Sequence, residues 1–266
     1  MGAWRPFEGE WGLVLGASSG FGAAIARALG RHGMGVLGVH LDRKATLPMA
    51  EAVVADVQAV GSEAHFFNVN AADAEKRLPV CERAAELTGG KPLRTVVHSL
   101  AFGTLRPFVS EDPSQQTTKA QLEMTLDVMA HSLVYWVQDL WARKLVGAGT
   151  RIFAMTSAGG ARVWPAYGAV SAAKAALEAH VRQLACELGH AGVAVNALRA
   201  GVTDTPALRK IPGAEVLLGE AQRRNPGGRL TTPEDVAGAI VALCLPGTRW
   251  ISGNVLGVDG AEDVIA

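Results

Sequence analysis

Two tyrosines occur in the chain, and one of them is placed to do chemistry. Tyr167 follows Pro165-Ala166 at an expected helix start, and Lys174 stands seven residues later. A helix turns the chain by about 100° per residue, so seven steps fall ~20° short of two turns and both side chains share a face. A phenol has an unperturbed pKa of about 10. A neighbouring ammonium favours the phenolate and lowers that value, so the pair could pass a proton near neutral pH. The plainer alternative is a surface tyrosine near a surface lysine. Tyr135 lies within a long amphipathic pattern and reads as packing.

A second constellation is Gly16-Ala17-Ser18-Ser19-Gly20-Phe21-Gly22, which directly follows an apolar run and precedes a helical pattern. Glycine permits positive φ and lets backbone N–H groups approach a pyrophosphate. The following helix N-terminus adds partial positive charge. Gly16, Ser18, Ser19, Gly20, Phe21 and Gly22 are therefore candidate dinucleotide-binding residues. Eighteen residues past Gly22 stands His40, followed by Leu41, Asp42, Arg43 and Lys44. An acid at this point accepts hydrogen bonds from a ribose and repels a 2′-phosphate. His40 with Arg43 and Lys44 favours NADPH, while Asp42 keeps NADH open. Arg43 and Lys44 also read as a solvated helix start.

These groups need elements to position them. Short, continuously apolar runs at 11–16, 34–40, 64–69, 93–98, 150–156, 192–198 and 254–258 read as strands buried on both faces. Helical patterns lie between them near 20–32, 48–60, 72–88, 113–146, 166–189 and 233–245. This alternation predicts βαβ units with right-handed crossovers. The expected fold class is α/β: one doubly wound domain over residues 1–266, with a parallel sheet of about seven strands and helices on both faces. The longest irregular stretch, about 200–232, reads as a lid, centred on 203–228.

Composition narrows the function classes. The 266 residues carry 25 Lys+Arg and 25 Asp+Glu, so there is no electrostatic footprint for nucleic acid or an anionic membrane. Charged residues at 19% beside 49% hydrophobic ones exclude wholesale disorder. No apolar run approaches the ~18 residues of a membrane span. Met1 to Glu8 lacks an apolar signal core, and Pro6 disfavours myristoylation, so a cytoplasmic protein is expected. Cys81, Cys186 and Cys244 form no C-x-x-C pair and read as buried thiols. The histidines show no metal-ligand spacing, and no metal is expected. His98 reads as lining a cleft by its backbone.

Taken together, the chain resembles the short-chain dehydrogenase/reductase superfamily over nearly its whole length. The segments that carry the resemblance are GASSGFG at 16–22, NVN at 68–70, HSLAFG at 98–103, MTSAGG at 155–160, Tyr167 with Lys174, ALRAGVTDTPAL at 197–208 and ISGNVLGVDG at 251–260. The commonest form of the superfamily has Y-x3-K, whereas here Ser171 holds that place and the spacing is Y-x6-K. This longer spacing, with HSLAF for the usual N-N-A-G, is similar to the branch of bacterial enoyl-acyl-carrier-protein reductases. LRPF at 105–108 and the non-aromatic Ser157 look most like its NADPH-dependent type. The serine-to-lysine separation stays at seventeen residues, as in the common form, so only the tyrosine has moved along the path.

The resemblance implies a Rossmann-type reductase with Tyr167, Lys174 and Ser157 as catalytic residues. It implies that Lys174 binds the nicotinamide ribose, that Gly201, Val202 and Thr205 hold the nicotinamide edge, that Asn68 and Val69 form the adenine pocket, and that Ser99 adjoins the cofactor. Ala200 replaces the family's proline, and Met129 stands where many relatives carry an asparagine. The implied reaction moves hydride from NADPH, with NADH possible, to the β-carbon of a trans-2-enoyl thioester in fatty acid synthesis. A carbonyl reductase or alcohol dehydrogenase of the same superfamily shares every cofactor residue. A dinucleotide-binding regulator without turnover is a third reading. In the lid, Ala207, Leu208, Ile211, Val216, Leu217 and Leu218 suit an acyl chain. Arg209, Lys210, Arg223 and Arg224 could face an acyl carrier protein, or simply solvent. The 113–146 and 166–189 helices are apolar on more than one side, so a second side could pair with a partner subunit, and the resemblance implies a homotetramer.

Overall fold

The computed structural model describes residues 4–265. Seven strands form one parallel sheet: β1 (Trp11–Leu15), β2 (Gly35–His40), β3 (Ala64–Asn68), β4 (Thr95–His98), β5 (Arg151–Ser157), β6 (Ala194–Ala200) and β7 (Val255–Val258). Their order is β3-β2-β1-β4-β5-β6-β7, and every neighbouring pair runs parallel. Side chains alternate between two cores, as the pleat requires. Leu13 and Leu15 of β1 enter one, and Val14 enters the other.

Helices α1 (Gly20–Arg31) and α2 (Leu47–Ala59) lie on one face with α8 (Pro233–Leu243). The other face is covered by α3 (Ala74–Thr88), α5 (Ser132–Ala142) and α6 (Gly168–Leu188). Trp136 on α5 is fully buried there, and its indole N–H donates to the Ala71 carbonyl at 2.8 Å. Helix boundaries follow local chemistry. Asp73 caps α3 through the N–H groups of Glu75 and Lys76. Thr232 and Asp235 form a capping box on α8, with Pro233 in its first turn.

The strand order reverses between β1 and β4, and that switch opens a cleft at the carboxyl ends of the strands. The glycine turn, Asp42, Asn68, Ser99, Ser157 and Gly201 all stand at or just beyond strand ends on this rim.

Three expectations need correction. The 113–146 pattern is not one helix. Helix α4 (Lys119–Leu126) begins at a capping box of Thr118 and Gln121, and a π-helical turn at Asp127–His131 joins it to α5. Ser132 Oγ donates back to the Val128 carbonyl at 2.8 Å beside that wider turn. The 200–232 stretch is not irregular throughout: α7 (Ala214–Arg224) starts after Gly213 (φ +77°) and buries only Ala214, Leu218 and Ala221. So small an apolar stripe gives little periodic signal. Cys81 and Cys244 are buried as expected, but Cys186 is exposed on α6.

Candidate active site

The glycine turn is built so that side chains cannot fill it. A Cβ on Gly22 would stand 1.9 Å from the Gly16 carbonyl oxygen, and one on Gly16 (φ +88°) would stand 2.3 Å from the Ser99 carbonyl oxygen. Ser19 is the N-cap of α1 yet makes no side-chain cap, and no acid occupies the first turn. Orphan N–H groups at that terminus are thus left for an anion. Thr205 comes to the same place across the cleft, its methyl 3.5 Å from where a Gly20 Cβ would be. A dinucleotide pyrophosphate fits this cradle on its geometry alone. Phe21 turns away and packs against the core shared by α1 and α8.

Beyond β2 the acid takes the leading position. The Asp42 carboxylate receives His40 Nδ1 at 2.8 Å. Burial alone would raise its pKa, but the Thr46 and Ser18 hydroxyls and His40 outweigh that and hold it low. Ser18 belongs to the glycine turn, so an ionised carboxylate adjoins the expected ribose. His40, 5% exposed, supports Asp42 from behind. The Asn68 side chain clamps the Asp42 backbone, donating to its carbonyl and accepting from its N–H, each at 2.9 Å. Val69 N–H donates to the His40 carbonyl at 2.8 Å. The Arg43 and Lys44 side chains point to solvent and are not brought into this cluster.

Tyr167 is the N-cap of α6. Ala166 before it adopts φ +61°, a left-handed conformation that costs an L-residue on the order of 1 kcal/mol. The phenol ring lies over Gly159, where a Cβ would stand 2.5 Å from Tyr167 Cε1 and 3.3 Å from Ser157 Oγ. Ser157 and Tyr167 therefore meet at one spot. Ser157 Oγ is buried with no partner in hydrogen-bonding geometry among the described residues, so it is open to a substrate oxygen. Lys174 is buried on the same helix, and its Nζ donates to the Met155 carbonyl at 2.6 Å. The end of β5 thus gathers all three residues.

The electrostatics differ from expectation. Lys174 does not draw the Tyr167 pKa down. Burial pushes the phenol up, and the nearby Ser157 hydroxyl only partly opposes it. The free phenol therefore stays protonated at neutral pH. Burial also pushes Lys174 down to about 8, partly offset by Glu178. His98, too, does more than lend its backbone to a cleft. It is fully buried, and burial followed by the Lys174 charge pushes it down to about 3. Its neutral ring donates from Nε2 to Ser132 Oγ at 2.8 Å, because that hydroxyl already donates to Val128. Met129 is buried within the π-helical turn and supplies no polar group to the site.

Exposed apolar side chains stand in the loops after β4 and β5. Val163 is 97% exposed, Phe102 and Phe108 project as well, and the Phe108 ring covers the backbone at Gly168. The Trp164 indole N–H donates to the Pro212 carbonyl at 2.9 Å, tying the tyrosine loop to the segment before α7. The basic residues of that segment are largely spoken for. Arg209 pairs with Asp204 and Glu215, and Arg224 turns inward to Glu262 at 3.3 Å. Of the four cations expected to face outward, Arg224 is the one that turns inward; Arg209 is exposed but paired, and Lys210 and Arg223 are exposed. Sequence reasoning also missed Glu262, which accepts the Val202 N–H at 3.1 Å. No motif marks it, because its role depends on where the chain after β7 folds back.

This sheet order, glycine turn and Ser-Tyr-Lys grouping define a reductase of the short-chain dehydrogenase/reductase class that uses NAD or NADP. The chain belongs to the enoyl-(acyl carrier protein) reductase family, whose model matches residues 16–261. It is 28% identical over 260 residues to the 1-cyclohexenylcarbonyl-CoA reductase of Streptomyces collinus, covering 96% of this chain and 87% of that one. It is 31% identical over 173 residues to the enoyl-acyl-carrier-protein reductase (NADH) FabI of Aquifex aeolicus, covering 65% of this chain and 63% of that one. A Burkholderia cenocepacia short-chain dehydrogenase, solved in complex with NADP, superposes with a TM-score of 0.81 at 28% identity, covering 97% of this chain and 99% of that one.

Proposed function

We propose that the chain reduces the C2–C3 double bond of a 2-enoyl thioester. The observation that carries this reading is a protonated Tyr167 phenol beside Ser157, with the Phe108 ring close by at Gly168. A reduced nicotinamide dinucleotide, its pyrophosphate held at the glycine turn, would supply hydride to the β-carbon. As C3 gains the hydride, the double-bond pair shifts and negative charge collects on the thioester oxygen. Tyr167 donates a hydrogen bond to that oxygen, with Ser157 as a second donor. C2 then takes a proton from water and completes the saturated product. Lys174 holds the ribose hydroxyls, and Gly201, Val202 and Thr205 border the nicotinamide edge. The exposed apolar side chains of Phe102, Phe108 and Val163 would border the acyl chain. Residues 203–228 act as a lid over it.

Initial rates on crotonyl and acetoacetyl thioesters, each on coenzyme A and on acyl carrier protein, test this. The crotonyl compounds are expected to be reduced and the acetoacetyl ones not; the reverse result establishes the carbonyl-reductase alternative. A Tyr167→Phe variant is expected to lose about 100-fold or more in kcat, the scale of one oxyanion donor, while binding cofactor normally. Retained turnover in that variant overturns the proposal. Lys210 and Arg223 predict only a modest preference for the carrier-bound substrate.

For the cofactor we propose NADH in place of the NADPH expectation. The reason is Asp42, an ionised carboxylate beside Ser18 that would repel a 2′-phosphate. Wild-type kcat/KM is expected to favour NADH, and Asp42→Ala to narrow the gap about tenfold or more, the scale of one desolvated charge contact. A wild-type preference for NADPH refutes this.

A further inference from the structure

Segment 259–264 carries charges that the reaction itself does not use. Gly260 and Ala261 both adopt left-handed backbone, φ +61° and φ +69°, and the Ala261 N–H donates to Asp259 Oδ1 at 3.0 Å. An L-residue held so is disfavoured, and such strain persists only where surrounding contacts fix it. The turn drives Glu262 inward, leaving it 3% exposed.

Glu262 then holds two pieces of the rim at once. Its Oε2 accepts the Val202 N–H at 3.1 Å, from the loop that borders the nicotinamide edge. Its Oε1 accepts from Arg224 at 3.3 Å, at the last turn of α7. Gly201 makes room for this, since a Cβ there would stand 2.9 Å from Glu262 Oε2 and 2.3 Å from Thr231 Oγ1. Asn225, next to Arg224, donates to the Asp259 carbonyl at 2.8 Å. Asp263 pairs with Arg162 of the tyrosine loop at 2.9 Å and with Arg199 of β6 at 3.2 Å. One short turn thus joins the cofactor loop, the lid helix and the tyrosine loop. A buried carboxylate needs such partners, and each loses its acceptor if the carboxylate goes.

We infer that Glu262 is a positioning residue that couples the seating of the nicotinamide edge to the position of the lid. The inference rests on the dinucleotide-dependent reading above. NADH fluorescence titration and trypsin cleavage after Lys210 and Arg223, with and without NADH, test it in the whole chain. In the wild type NADH is expected to slow that cleavage. Glu262→Ala is expected to weaken NADH about tenfold or more and to abolish the protection. Glu262→Gln still offers an oxygen to Val202, so its NADH affinity is expected to stay within about threefold of wild type while protection is lost. Arg224→Ala is expected to behave like Glu262→Gln. If Glu262→Ala does not fold, these two milder variants decide the matter.

Wild-type affinity and protection in Glu262→Ala overturn the inference. So does a loss of thermal stability in both Glu262 variants with protection by NADH intact, which is the pattern of a merely structural contact. A wild-type chain that binds neither NADH nor NADPH overturns the reductase reading and this inference with it. Wild-type binding with an indifferent Glu262→Ala overturns this inference alone.

Discussion

Lys174 is the residue whose surroundings change its chemistry most directly. Its ammonium is buried with a single hydrogen-bond acceptor, Met155, and burial brings it from 10.5 to about 8. The charged form is therefore present below about pH 8 and lost above it. Between about 8 and 10.5 the unfolded chain binds the extra proton, so this group makes stability rise with pH across that window. Cofactor binding is expected to run the other way, because in the proposed site the ammonium donates to the ribose hydroxyls. NADH affinity measured by titration from pH 7 to 10 is expected to fall above pH 8, approaching tenfold per unit. Lys174→Met is expected to bind weakly and without that slope. A wild-type profile flat to pH 10 would show that the charge is not used.

At the scale of elements, two irregularities shape the site. The π-helical turn between α4 and α5 widens the helix beside Ser132, whose hydroxyl links His98 on β4 to the Val128 carbonyl. A polar chain thus crosses from the sheet to the helix layer without a buried charge. The glycine turn is the other. A methyl group on Gly22 would overlap the Gly16 carbonyl at 1.9 Å, and backbone rather than a pliable side chain would have to move. Gly22→Ala is expected to lower NADH affinity at least about 100-fold with the circular dichroism spectrum unchanged, since the pyrophosphate contacts depend on that backbone. Unaltered affinity would remove the turn from the proposed cofactor site.

For the whole molecule, the sheet order decides where everything meets. Two half-sheets diverge from β1 and β4, so loops from strands far apart in sequence converge on one crevice. On the outer surfaces Trp141 on α5 and Trp250 before β7 are exposed, the latter at 95%. A hydrogen-bonded pair of tilted rings, His131 Nδ1 to His180 Nε2 at 3.0 Å, lies where the π-helical turn packs on α6. We propose a homotetramer built through such faces, as their apolar exposure favours burial between copies. Light scattering is expected to give four chain masses, and a single-chain mass at micromolar concentration would refute it.

The strands were legible because parallel strands buried on both faces read as unbroken apolar runs: all seven lie within two residues of the expected bounds. The glycine turn and the Tyr167–Lys174 spacing were legible for a related reason, since each is a local pattern set by backbone geometry. Helix α7 was hidden because its apolar stripe is short, with only Ala214, Leu218 and Ala221 buried. The direction of the Tyr167 pKa, the inward turn of Arg224 and the buried contacts of Glu262 were not legible at all. Each depends on how much water the packed neighbours exclude and on which distant group lies opposite. Sequence by itself determined the order of elements and the kinds of group at their ends. The tertiary structure decided which of those groups are dry, paired and facing one another, because desolvation and contact are properties of the packed chain.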